Sequence, residues 1–201
     1  MTIFLRLALA GILFAAPLPA FAQLAGSPGY TFLQAVRNDK GQEVIDILSK
    51  PGNRIINTQD PSTGEGALAI VVKRGDAKYV RYFLAQDGVD PNIRDKDGNT
   101  PMLLAVQYGY EDLVPILIAG KANPNIGNSG GDTPLILAVQ RRNQGLVRVL
   151  LDSGANPDQS DIRAGKSARD YAMEDTRSPA IAKMFEGVPK KARRAVSGPT
   201  L

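Results

Sequence analysis

The sequence contains no cysteine, no histidine and no tryptophan. Without Cys there is no disulfide framework, thiolate nucleophile, cysteine-held metal or lipid anchor on sulfur. Without His the commonest general base and the commonest metal ligand are missing. A nucleophile would then need a Ser-Lys or paired Asp arrangement, and neither has a recognisable local motif here. Aromatics are only 6% of the chain while hydrophobic residues are 43%, so its core is built from Ala, Val, Ile and Leu. A length of 201 residues suits one domain with a real core.

Lys and Arg number 24 against 20 Asp and Glu, but the excess is local. Lys190, Lys191, Arg193 and Arg194 lie in a stretch with no acid, and Arg6 lies near the N-terminus. Without these five residues the two signs nearly balance, so the basic character belongs mainly to the tail. From Pro189 the composition turns to Lys, Arg, Ser, Gly and Pro, and residues 188–201 are expected to form a disordered basic tail. Three roles fit it: a solubilising end, weak contact with an anionic membrane surface through Lys190, Lys191, Arg193 and Arg194, and last, nucleic acid. No nucleic-acid partner is expected, because the N-terminus directs the protein away from it.

That N-terminus reads as a signal peptide over residues 1–22. Arg6 supplies the positive charge, Leu7 to Ala16 the apolar run, and Ala20-Phe21-Ala22 the small-residue site cut after Ala22. The run is too short to span a bilayer as a mature helix, although Ile3-Phe4-Leu5 extend it if it stays uncleaved as an anchor. The expected location is the bacterial periplasm or outside the cell.

The remainder repeats itself. Thr100-Pro101-Met102-Leu103-Leu104-Ala105 aligns with Thr133-Pro134-Leu135-Ile136-Leu137-Ala138 at an offset of 33. Gly66 to Val71 and Ser167 to Ala172 fill the same slot. Asp90-Pro91-Asn92, Asn123-Pro124-Asn125 and Asn156-Pro157-Asp158 recur behind them. A period near 33 denotes stacked helix pairs, none of which buries both its faces alone. Thr100 and Thr133 suit the N-cap, and Pro101 and Pro134 the first helical position. Gly109 suits the turn between paired helices, and Gly120 and Gly154 suit helix stops. Pro115 falls inside an expected helix, which it should kink or shift. Arg142 stands where the preceding repeat has Gly109.

These segments resemble ankyrin repeats over roughly residues 28–187. The resemblance implies an all-α solenoid of about five helix-turn-helix repeats with β-turn connections, stacked in an L-shaped array. The repeats are expected near 28–57, 58–92, 93–125, 126–158 and 159–187. The first and last are atypical and suit capping units, with Ser178-Pro179 opening a final helix that ends near Phe185. The histidine usual in the family's motif is replaced by Leu103, Ile136 and Ala69, apolar residues that either widen the core or face a partner.

The resemblance further implies a non-enzymatic scaffold that binds another protein on its concave face. The alternative is a membrane-surface accessory protein or enzyme subunit tethered by the tail. Carried over by register, the partner-facing positions are Lys73, Arg74, Lys96, Asp97, Asn99, Gln107, Tyr108, Asp132, Gln140 and Arg141. Tyr and Arg are enriched at binding hot spots, which singles out Tyr108, and the basic lean of the set favours an acidic partner. No catalytic residue, cofactor or metal site is expected. Asp87, Asp90, Asp95 and Asp97 lie along a turn without the terminal Glu of a calcium loop. Gly64-Glu65-Gly66 and the stretch from Gly127 to Gly131 lack the Lys of a phosphate loop.

Overall fold

The helices begin where side chains can cap them. The computed structural model describes residues 26–50 and 55–190. The expected signal peptide lies outside the described residues, as do Lys191, Arg193 and Arg194. Among the described residues there are ten α-helices and no strand. They alternate between two rows. The inner row is α1 (Pro28–Arg37), α3 (Ala67–Lys73), α5 (Pro101–Tyr108), α7 (Pro134–Gln140) and α9 (Ala168–Glu174). The outer row is α2 (Gly41–Leu48), α4 (Ala77–Leu84), α6 (Leu113–Ala119), α8 (Gln144–Asp152) and α10 (Pro179–Glu186). Each inner helix packs on its own outer helix and on the next inner helix, which is the solenoid the repeats predict.

Thr100 Oγ1 accepts from the Leu103 N–H at 3.3 Å and Thr133 Oγ1 from Ile136 at 3.2 Å. Each satisfies an orphan donor of the first helical turn. Ser167 and Asp170 form a reciprocal capping box at α9. Outer helices α4 and α8 are capped by Asp76 and Asn143. In repeat three that place is taken by Tyr110, which cannot cap, and α6 starts only at Leu113. Pro115 therefore falls in the first turn, where its missing N–H has no helical acceptor to lose. Of the two outcomes open for Pro115, the shift is the one realised.

The turn between paired helices needs a left-handed residue. Gly75 and Gly109 provide it at φ 71° and 77°, Asp39 at 55° and Arg142 at 54°. For Arg142 the conformation costs about 1–2 kcal/mol relative to glycine. At the outer-helix stops the left-handed residues are Gly88, Lys121 and Gly154. Gly120 stops its helix as expected, but at φ −79°, and its neighbour Lys121 takes the left-handed position.

Small alanines let the rows close: Ala105 and Ala138 are fully buried. Leu103 and Ile136, the apolar replacements in the family motif, are 1% and 0% exposed. They widen the core rather than meet a partner, and each contributes on the order of 2 kcal/mol by burial.

Two ladders of hydrogen bonds join the repeats. At the turn tips, the N–H groups of Lys96, Ser129 and Ile162 donate to Thr63 O, Asp97 O and Gly130 O, each at 3.0 Å. Between the Asx turns, the N–H groups of Asp90, Asn123 and Asn156 donate to the Oδ1 atoms of Asn57, Asn92 and Asn125 at 2.8, 2.8 and 2.6 Å. The last residue of the Asp90-Pro91-Asn92 and Asn123-Pro124-Asn125 turns thus reaches the following repeat, while the first residue of each Asx-Pro-Asx turn holds the turn itself.

Asp60 ties repeat one to repeat two. The Ser62 hydroxyl holds its carboxyl well below the usual carboxylate range, against the opposing pull of burial. Arg37 at 2.7 Å and the Ser62 and Thr63 N–H groups act in the same direction. The folded state therefore binds fewer protons here than the unfolded chain. The stabilisation is present above the ordinary Asp pKa of about 4 and is lost as pH falls below it. The stability gap between wild type and Asp60→Asn should be wide in urea melts at about pH 7 and should shrink progressively from about pH 4 down to about pH 2. A gap independent of pH would remove Asp60 from the acid response.

Candidate binding surface

The turn tips and the inner-helix ends form one continuous face. In each of repeats two to five, the residue before the inner helix's N-cap has a counterpart in the last turn of that helix. These pairs are Glu65 with Lys73, Asn99 with Gln107, Asp132 with Gln140, and Lys166 with Glu174. The two outer pairs are ionic and of opposite polarity. Lys73 Nζ donates to the Glu65 carboxylate, and Lys166 Nζ meets Glu174 at 2.6 Å. The Glu65 hydrogen bond pushes the Lys73 ammonium pKa above its ordinary value. Neither inner pair closes with an ion pair among the described residues. The face is tied off at both ends and open across repeats three and four.

The structure assigns different duties to the expected partner-facing residues. Lys73 is committed to Glu65. Arg74 is a staple between repeats: it donates to Val36 O at 2.7 Å and to Asp39 and Asp76 at 3.3 Å, and it lies 5.6 Å from the centre of the Tyr79 ring. Asp132 departs furthest from expectation. It is only 6% exposed, with Oδ2 accepting from Arg163 at 2.6 Å and from Asn128 at 3.4 Å. Its place matches Asn99, and Asn128 matches Asp95, so acid and amide have exchanged places between the two turns. The exchange puts the carboxylate inside, with Oδ1 buried and without a hydrogen-bond partner among the described residues. Asn99 braces its own turn through Asp95.

Lys96, Asp97, Gln107, Tyr108, Gln140 and Arg141 are exposed. Asp97 uses only its backbone in the turn ladder. The Gln107 and Arg141 side chains make no hydrogen bond to the described residues, and the Gln140 amide lies beside the Tyr171 oxygen. Tyr108 is 49% exposed and stacks on Tyr110, with ring centres 6.0 Å apart and planes at 11°. The Tyr110 hydroxyl donates to Lys73 O at 3.4 Å. The stack gives Tyr108 a rigid backing, which lowers the ordering cost of using it as a contact. Sequence reasoning missed Arg142, Arg163 and Arg177, whose guanidinium groups also reach this face. The signal for Arg142 was its place in the glycine register.

Two rows of paired helices joined by turn tips define a helical-repeat solenoid. The family model of ankyrin repeats (3 copies) matches residues 32–128 and 80–161, and the chain belongs to the ankyrin-repeat family. An ankyrin repeat protein of Acanthamoeba polyphaga mimivirus is 35% identical over 79 residues, which is 39% of this chain and 10% of that protein. The chain thus spans a tenth of the length of this curated relative. Ankyrin repeats generally mediate protein–protein interaction.

Proposed function

We propose that this chain is a non-enzymatic scaffold of the bacterial periplasm that holds one protein partner on its concave face. The observation that carries the reading is the opening between the two terminal ion pairs. Glu65–Lys73 and Lys166–Glu174 satisfy themselves, while Gln107, Tyr108 and Arg141 between them are exposed. A backed tyrosine beside an uncommitted arginine is the side-chain pairing enriched at hot spots. The periplasmic part rests on the Arg6, apolar-run and Ala20-Phe21-Ala22 pattern of the sequence.

The test compares the wild type with the Tyr108→Ala, Arg141→Ala double variant as bait in an extract of the host periplasm. Retained proteins are identified and their affinities then measured. The double variant should bind about a hundredfold more weakly, with its helical circular dichroism unchanged because both side chains are exposed. Undiminished binding by a folded variant would refute the docking face. Fractionation of the host should recover a chain beginning at Gln23 in the periplasm; an uncut cytoplasmic chain would refute the location.

A further inference from the structure

The last turn of the inner face carries an open groove of about 380 Å³, lined among others by Gln140, Arg142, Tyr171, Glu174, Asp175 and Arg177. One carboxylate holds its two arginines. Arg142 Nε donates to Asp175 Oδ2 at 2.6 Å and Arg177 Nε to Asp175 Oδ1 at 3.3 Å. Each guanidinium has five donors in a planar fork. Here only Nε is used, and the terminal amino nitrogens of both make no hydrogen bond to the described residues.

The anions sit inside and the cations project. The Asp175 side chain is 20% exposed, against 37% for Arg142 and 75% for Arg177. Glu174 also lines the groove but is committed to Lys166. With Glu174 neutralised by Lys166, the two arginines share the single carboxylate of Asp175, which leaves guanidinium donors in surplus. Arg142 is also kept in a left-handed conformation where Gly75 and Gly109 serve the same turn without strain. A strained residue in a groove is a reason to look for a function.

We propose that this groove binds an acidic segment of a protein partner, whose carboxylates take the free guanidinium edges of Arg142 and Arg177 in bidentate fashion. The inference rests on the docking reading above and names the chemistry of the partner.

The probe is a fluorescently labelled hexaglutamate peptide, titrated with the full chain and followed by anisotropy. The paired variant is Arg142→Gly with Arg177→Gln. Glycine is chosen because Gly109 holds the same backbone position at φ 77°, so the fold should survive. The wild type should bind hexaglutamate, more weakly as salt is added, and should not bind hexalysine. The double variant should bind at least about tenfold more weakly. Arg177→Gln alone, on a side chain too exposed to unfold the protein, should show part of that loss.

Equal affinity in wild type and double variant would overturn the proposal, as would equal binding of hexalysine. A labelled single-stranded oligonucleotide or a phosphatidylglycerol vesicle that binds more tightly than the peptide, with the same arginine dependence, would overturn it in favour of that polyanion. The native partner separates the two readings. Binding lost in Tyr108→Ala, Arg141→Ala but kept in Arg142→Gly, Arg177→Gln leaves the docking face standing and removes this groove. Binding kept in both variants removes both.

Discussion

Replacing Arg169 by alanine should lower the free energy of unfolding by about 3–5 kcal/mol. Arg169 is 8% exposed and occupies the place filled by Leu68, Met102 and Leu135 in the preceding repeats. Its Nε and Nη2 meet the Asp158 carboxylate at 2.7 and 3.3 Å, and Nη1 donates to Phe185 O at 2.7 Å. Nη2 also reaches Val188 O at 3.0 Å. One guanidinium thereby joins the last Asx turn to the C-terminal end of α10.

The reason lies in the asparagine ladder. Asn57, Asn92 and Asn125 each accept an N–H from the next repeat. The following place in that column is Asp158, and the place in repeat five that matches the donors Asp90, Asn123 and Asn156 is Pro189, which has no N–H to give. The chain there has a carboxylate in place of an amide, and an arginine in place of an aliphatic residue. Removing the arginine takes both guanidinium contacts from an inward carboxylate, which is the costly way to break a buried pair. Replacing both, as Arg169→Met with Asp158→Asn, restores the chemistry of the inner repeats and should recover more than half of the loss. A double-mutant cycle in urea reads the coupling directly. A loss below about 1 kcal/mol for Arg169→Ala, in the range of an exposed pair, would show that the C-terminal repeat does not depend on this staple.

The fold was legible because its signals are local and repeated. Thr100-Pro101 and Thr133-Pro134 announce helix starts within two residues, and the buried alanines recur at the same offset. The binding face was less legible, because the direction of a side chain there is decided by a partner far away in sequence. Arg74 looks like a surface cation until Val36 O, 38 residues earlier, takes its guanidinium. Asp132 looks like a turn residue aimed outward until Arg163, 31 residues later, draws it in. Asp95 and Asn128, which brace their own turns over four residues, show the same register with acid and amide exchanged. That exchange was visible in the sequence and is the clue to Asp132. Tyr110 in place of the capping Asp76 and Asn143 was a second clue, and it accounts for Pro115 falling in the first turn of α6.

Gly64→Ala should cost about 3 kcal/mol, while Gly88→Ala should cost only about 1 kcal/mol. Both glycines are left-handed, at φ 75° and 74°, so the backbone penalty for a side chain is shared. They differ in what a methyl group would meet. At Gly88 nothing lies within 4 Å, whereas at Gly64 the new carbon would stand 2.7 Å from Lys96 N and 3.0 Å from Asp95 C. Those are backbone atoms and cannot step aside as a side chain would. The Lys96 N–H is the first rung of the turn ladder, donating to Thr63 O at 3.0 Å. The methyl group must therefore push the turn tip of repeat three away from that of repeat two, stretching the bond that sets their spacing. That spacing also positions Lys96 and Asp97 on the open part of the face, so Gly64→Ala should weaken partner binding beyond what its folded fraction explains. Gly88→Ala should leave binding by the folded protein unchanged. Equal destabilisation of the two variants in urea melts would mean that the turn tips absorb the methyl group freely, and the ladder would then not hold the repeats in register.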